Sequence, residues 1–277
     1  MKKWIRTVLI GILSITFLTA CGVGDKESEV KNEEVSLGVV GDDTRVWDDV
    51  KDRLKDKGVD LNIVKFSDYN QPNQALAEGE IDLNAFQHQA FLENFNKESN
   101  EKLTSIGNTV IAPLGAYSEK IDNLDDLPEN GTIAIPNDVT NGGRALILLE
   151  SAGLIEVDDE AGITPTVNDI TEYHKKFNIK EVDASTTARS LSDVDASVIN
   201  SGYAVEAGLK PDDAIFQEPV DENSKPYVNI IVARPDETDN DLFKKVVDEY
   251  QTEETEKLIK EYSDDADVAA WKEFGKN

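Results

Sequence analysis

Residues 134–146 read Ala-Ile-Pro-Asn-Asp-Val-Thr-Asn-Gly-Gly-Arg-Ala-Leu, the pattern of a strand, a polar glycine-containing loop and a helix start. A helix N-terminus offers unpaired N–H groups and positive dipole potential to an anion. Arg144 adds a planar fork of donors that matches a carboxylate bidentately. Together they would fit the α-carboxylate of an amino acid. A surface arginine paired with one of the chain's many acidic residues is the plainer alternative, and composition leaves both open.

A second cluster is Tyr69, Phe86, His88 and Phe91. Aromatic walls bury an apolar or thioether side chain well, because sulfur makes favourable contacts with ring edges; by spacing alone such residues also suit an ordinary core. Asn200 and Asn229 stand on otherwise apolar runs, Ala196–Asn200 and Tyr227–Ile231. A buried amide needs partners, which a ligand's amino or carboxylate group would supply, as would capping or hinge hydrogen bonds. The chain has 2 histidines, His88 and His174, and a single cysteine. A histidine-rich metal site and a cysteine nucleophile are therefore excluded, no cofactor motif is present, and no Gly-rich phosphate loop or nucleophile elbow occurs.

The elements that must position these residues alternate between short apolar runs and helical spacing, the mark of an α/β protein. Ser36–Val40 reads as a buried strand. Thr44 then caps a helix with Trp47, Val50 and Leu54 on one face, stopped by Gly58. Leu61–Phe66 is a second strand, Pro72–Ala77 a short helix, and Ile81–Phe86 a third strand leading directly into Gln87-His88-Gln89. Ligands in open α/β sheets sit beyond the carboxyl ends of strands, which places function there. A β-like run covers 104–117, the polar turn 124–131 marks a domain crossing, and Thr132–Pro136 begins a second α/β segment. That segment has a helix from Gly143 to Ala152, a strand near Ile179–Val182, a helix near Thr187–Leu191 and the strand Ala196–Asn200. Tyr227–Ala233 carries the chain back, and 239–274 is helical, with Leu242, Val246 and Tyr250 on one face. The expected division is 36–118 plus 230–277 for one lobe and 119–229 for the other. Two discontinuous lobes joined by two crossover strands make a clamshell whose cleft suits a small ligand and whose hinge permits closure.

Composition narrows the partners. A net charge of −28 over 277 residues repels nucleic acid and anionic lipid alike, and no acidic run has the spacing of a calcium loop. Lys2, Lys3 and Arg6, the apolar stretch Val8–Leu18 and then Leu-Thr-Ala-Cys-Gly compose a secretory signal peptide over 1–20. The apolar stretch is about half the roughly 20 residues that a membrane-crossing helix needs. The small residues before Cys21 resemble a lipobox, in which Cys21 carries the lipid; an ordinary signal peptide with a chance cysteine is the alternative. No disulfide is possible. Residues 21–35 form a charged tether that buries too little apolar surface to order itself.

Several of these runs resemble one family. Phe86-Gln87-His88, Ile135-Pro136-Asn137-Asp138 with Thr140-Asn141 and Gly143-Arg144-Ala145-Leu146, Asp195-Ala196 with Val198-Ile199-Asn200, and Pro226–Ile231 are similar to the NlpA family of methionine-binding lipoproteins, in order and over nearly the whole chain. The resemblance implies a two-lobed periplasmic-binding-protein fold of type II kind and an extracytoplasmic, lipid-anchored monomer. It would deliver methionine to an ABC permease and its ATPase without covalent chemistry. It also implies that Arg144 holds the ligand carboxylate, with Asn141 assisting from the loop. Asn200 and Asn229 would bind the ligand's polar backbone atoms, and Tyr69, Phe86, His88 and Phe91 would line its side-chain pocket. Val139 replaces the proline usual after Asn-Asp, and Phe91 stands where tyrosine is common, so ligand identity is less constrained than family. The competing readings are a methionine-containing dipeptide such as glycyl-methionine or another small amino acid as ligand, and, from another class, a surface-anchored adhesin or scaffold. A hydrolase lacks a nucleophile with its base.

Overall fold

The computed structural model describes residues 32–277; the expected signal peptide, Cys21 and most of the tether lie outside them. Glu33–Val40 (β1) alternates so that Val35, Leu37 and Val39 point into the core, the period-2 pattern of a strand with one face covered. Glu33–Val35 were expected in the tether. They are instead the first residues of the strand, because Val35 buries completely and the ladder to the neighbouring strand begins at Glu33. Arg45–Lys55 (α1) buries Trp47, Val50 and Leu54 as their spacing predicts; Thr44 precedes it without capping a backbone N–H through its side chain, donating instead to Asp48 at 2.8 Å.

Val59–Phe66 (β2) runs parallel to β1 along its full length. Pro72–Ala77 (α2) is followed by Leu83–Asn84 (β3), Gln89–Ser99 (α3), Thr104–Asn108 (β4) and Val110–Ile111 (β5). The second region holds Gly115–Tyr117 (β6), Gly131–Pro136 (β7), Val139–Ser151 (α4), Ile155–Val157 (β8), Ile170–Tyr173 (β9), Phe177–Val182 (β10), Ala196–Ile199 (β11), Ser201–Glu206 (α5) and Phe216–Gln217 (β12). Ile230–Ala233 (β13), Asp241–Tyr250 (α6), Glu253–Tyr262 (α7), Val268–Ala269 (β14) and Ala270–Glu273 (α8) return the chain to the first region.

Two five-stranded sheets result, ordered β2-β1-β3-β13-β4 and β10-β7-β11-β6-β12. Each is mostly parallel with antiparallel strands toward one side: β13 runs against β3 and β4, and β6 against β11 and β12. Each sheet has its own core. Leu37, Leu54, Leu61 and Ile231 pack with Phe243 and Tyr250 in the first, and Ile133, Ile135, Leu146, Leu149 and Val198 in the second. Because β6 belongs to the second sheet, the chain leaves the first before Gly115 rather than after residue 118. Its antiparallel pairing with β11 and β12 decides this.

The two crossings meet. Asn229 N–H donates to Val110 O at 2.8 Å, and Thr109 N–H donates to Asn229 O at 2.7 Å. The expected strand 227–233 is thus shorter, since Glu222–Tyr227 winds as a 3-10 turn. The C-terminal helical stretch is broken at Thr252, whose hydroxyl accepts from Thr255 N–H and starts α7 anew.

Candidate functional site

α4 begins four residues earlier than its glycines suggest. Asp138 is its N-cap and accepts from the Asn141 N–H at 2.9 Å. Gly142 and Gly143 sit inside the helix because of what lies against them: a Cβ on Gly142 would stand 2.9 Å from Pro136 O, and one on Gly143 2.8 Å from Thr164 Cα. The glycines serve close approach rather than a loop. Asn141 and Arg144 consequently share one helix face, three residues apart. A second consequence bears on the expected anion site, since the Asn141 amide, in the first turn of α4, is already taken by Asp138.

Arg144 is 3% exposed. Its Nε donates to Glu218 Oε1 at 2.9 Å, its Nη2 to Glu218 Oε2 at 2.6 Å and to Ala112 O at 3.0 Å, and its guanidinium lies 4.5 Å from the Tyr227 ring centre. An acidic partner is therefore present, but as a buried clamp. It occupies the edge of the fork expected to grip a carboxylate bidentately, leaving Nη1 without a hydrogen bond among the described residues.

Opposite stands His88, the N-cap of α3. Its Nδ1 accepts from Phe91 N–H at 3.1 Å, so Nε2 carries the proton, and Nε2 faces Asn141 Oδ1 at 3.4 Å. Burial first, then the Arg144 charge, holds the imidazole down at about 3, so it is neutral at any ordinary pH. Asn141 Oδ1 also accepts from Asn200 Nδ2 at 2.7 Å, while Asn141 Nδ2 is tied to Asp138 at 3.0 Å. Asn200 Oδ1 is fully buried and has no hydrogen-bond partner among the described residues. Asn229 has both backbone groups committed at the crossing, and its side chain makes no hydrogen bond among the described residues.

The rings close the other end. Tyr69, Phe86 and Phe91 stand 5.9–6.0 Å apart, centre to centre, two of the pairs edge to face. Beneath them the side chains of Asn73, Asn84 and Gln87 satisfy one another in a buried amide network, with Asn73 Nδ2 donating to Gln87 Oε1 at 2.7 Å. This fixes the Phe86-Gln87-His88 segment.

All eight residues expected at the site line a single cavity of about 260 Å³. Sequence reasoning missed Tyr203, 5.0 Å from Tyr69 and with its buried hydroxyl unpartnered, and it missed Glu218 and Tyr227, which hold Arg144. Tyr203 follows Asn200 by nearly one helical turn, a spacing that could have flagged it. The clamp had no local signal, since Glu218 is 74 residues from Arg144. Among the described residues, one group could contribute metal ligands, the exposed Glu156, Glu172 and His174 on the β8–β9 hairpin, outside the cavity; there His174 pairs with both carboxylates at 3.5 Å.

The family model described as NlpA lipoprotein matches residues 35–271. The chain belongs to the NlpA lipoprotein family. The D-methionine-binding lipoprotein MetQ of Escherichia coli K12 is 40% identical over 268 residues, 95% of either chain. Among solved structures, the substrate-binding protein of a methionine transporter from Streptococcus pneumoniae is 44% identical with a TM-score of 0.82, covering 86% of this chain and 96% of that one. A nutrient-binding protein from Burkholderia cenocepacia, solved bound to methionine, is 41% identical with a TM-score of 0.81, covering 85% and 99%. The NlpA fold therefore accounts for the two-sheet architecture.

Proposed function

We propose that this protein is the lipid-anchored substrate-binding component of an ABC importer and that it encloses methionine between its two lobes for uptake. The observation that carries this reading is the cavity's polarity: a donor, Arg144 Nη1, and an orphaned acceptor, Asn200 Oδ1, stand on one wall, and three mutually packed rings stand on the other. A zwitterion's carboxylate suits the donor, its ammonium suits the acceptor, and a thioether suits the rings. Arg144 is positioned by Glu218 and Tyr227, Asn200 by Asn141, and the aromatic wall by the amide network, so most of the ordering cost of binding is met in advance.

Two relatives carry methionine binding or methionine transport in their names and a third was solved with methionine bound, which supports the ligand class. Lipidation at Cys21 supplies the anchor in this reading; no helix among the described residues is long and apolar enough to cross a membrane. The work is capture and release, with a permease and its ATPase as partners and no bond made or broken.

A methionine-containing dipeptide is the second reading, favoured by the cavity's continuation past Asn200 to Ser201 and Ser263. Thermal unfolding of residues 22–277 with L-methionine, D-methionine or glycyl-methionine at about 100 times Kd separates them: a true ligand raises the midpoint by about 5–10 °C. A midpoint unmoved by all three, with no small molecule co-purified, refutes the binding reading and favours an adhesin or scaffold.

A further inference from the structure

Ser201 opens α5, one residue after Asn200, and its hydroxyl donates to Asp267 Oδ1 at 3.3 Å. Asp267 comes from the other lobe, immediately before β14, which pairs with β5. Both residues line the ligand cavity, so this loose contact spans the cleft beside a residue that faces the ligand.

The carboxyl is poorly compensated there. Its own backbone N–H is taken by Ser263 Oγ at 3.0 Å. Tyr117 of β6 and Tyr250 of α6 face it as neutral phenols, both pushed up first by burial and further by acidic neighbours that include Asp267. Asp42 and Asp43 after β1, Glu206 of α5 and Tyr262 of α7 line the same cleft. Arg45 is committed to Asp43 at 2.6 Å and to the Tyr262 ring at 4.2 Å. The basic side chains lining the cavity are Arg144, clamped by Glu218, and His88, held neutral. Among the described residues no cation therefore answers Asp267. Burial raises its carboxyl to about 7, against a smaller lowering by the Ser201 hydroxyl.

We propose that Asp267 is a positioning residue that ties ligand capture to proton uptake: as the lobes close, its carboxyl leaves water for the Ser201 contact and accepts a proton. The inference rests on the methionine reading above. In the open form the group faces solvent as an ordinary carboxylate, and in the closed form the neutral acid is preferred. The closed state then holds more protons between about pH 4 and 7, so affinity rises as pH falls through that window. A carboxylate serving as counter-charge to the ligand's ammonium gives the opposite slope.

The test is titration calorimetry of the purified protein with methionine, in whichever enantiomer binds, at pH 7.5, 6.5 and 5.5, with buffers of contrasting ionisation enthalpy. Methionine's own charges are constant across this range. Binding is expected to tighten about twentyfold from pH 7.5 to 5.5 with net proton uptake at pH 6.5. Asp267→Asn, which keeps the shape and an acceptor for Ser201, is expected to bind at pH 7.5 more tightly than the parent does at 5.5, with no pH dependence and no proton uptake. An affinity that is flat or weakens on acidification, or a variant that retains the parent's slope, overturns the inference while leaving methionine binding in place. Absence of binding at every pH instead removes the methionine reading and this inference with it.

Discussion

The two walls of the cavity are built on opposite principles. The α4–β11 wall is a chain of directed hydrogen bonds, Asp138 to Asn141 to Asn200 and Glu218 to Arg144, every link side chain to side chain. The wall at the end of β3 is three rings whose contacts are broad and undirected, resting on a hidden amide network. Directed bonds to a charged group are lost nearly whole when one partner is removed, whereas ring burial declines with area. The first wall should therefore set whether a ligand binds, and the second which side chain it carries.

Arg144→Ala should have the largest effect, costing about 3 kcal/mol or more of affinity, on the order of 100-fold. It also strands Glu218 in the interior, so the unfolding midpoint should fall; calorimetry and thermal unfolding together read the two losses. A variant that folds and binds normally would break the division of labour. Phe86→Ala comes next, at about 1–2 kcal/mol. Its diagnostic is selectivity: affinity for methionine should fall much further than affinity for alanine, and equal losses would assign the rings no part in discrimination. Tyr203→Phe should change little, less than about threefold, because the hydroxyl it removes is buried without a partner. A loss beyond tenfold would mean that the ligand uses that hydroxyl and would move Tyr203 to the polar wall.

Much of the fold was legible because its signals are local. The apolar run Ser36–Val40, the Trp47-Val50-Leu54 face of α1 and the Pro72 start of α2 each depend on residues a few positions apart, and each appears as read, although β1 starts three residues earlier. Readings failed where packing from afar decided the outcome. Gly142 and Gly143 carry a loop's composition yet lie in a helix, since Pro136 and Thr164 press on them. Gly115–Tyr117 sits beside the first lobe in sequence yet pairs with strands of the second. For the site, residue types pointed to one cavity, but the state of Arg144 was hidden, because a clamp from Glu218 has no signature near either residue.

Asn229 stands on the cavity wall, and its backbone also ties together the two crossings between the sheets, through Thr109 and Val110. On the binding reading proposed above, a ligand there would load the crossing itself and not the end of a lever, so no relay of intervening side chains would be required between recognition and movement. The same economy constrains change. On that reading a substitution at 229 that suits a new ligand would also alter the crossing, so a shift in specificity there would bring a shift in opening rate with it.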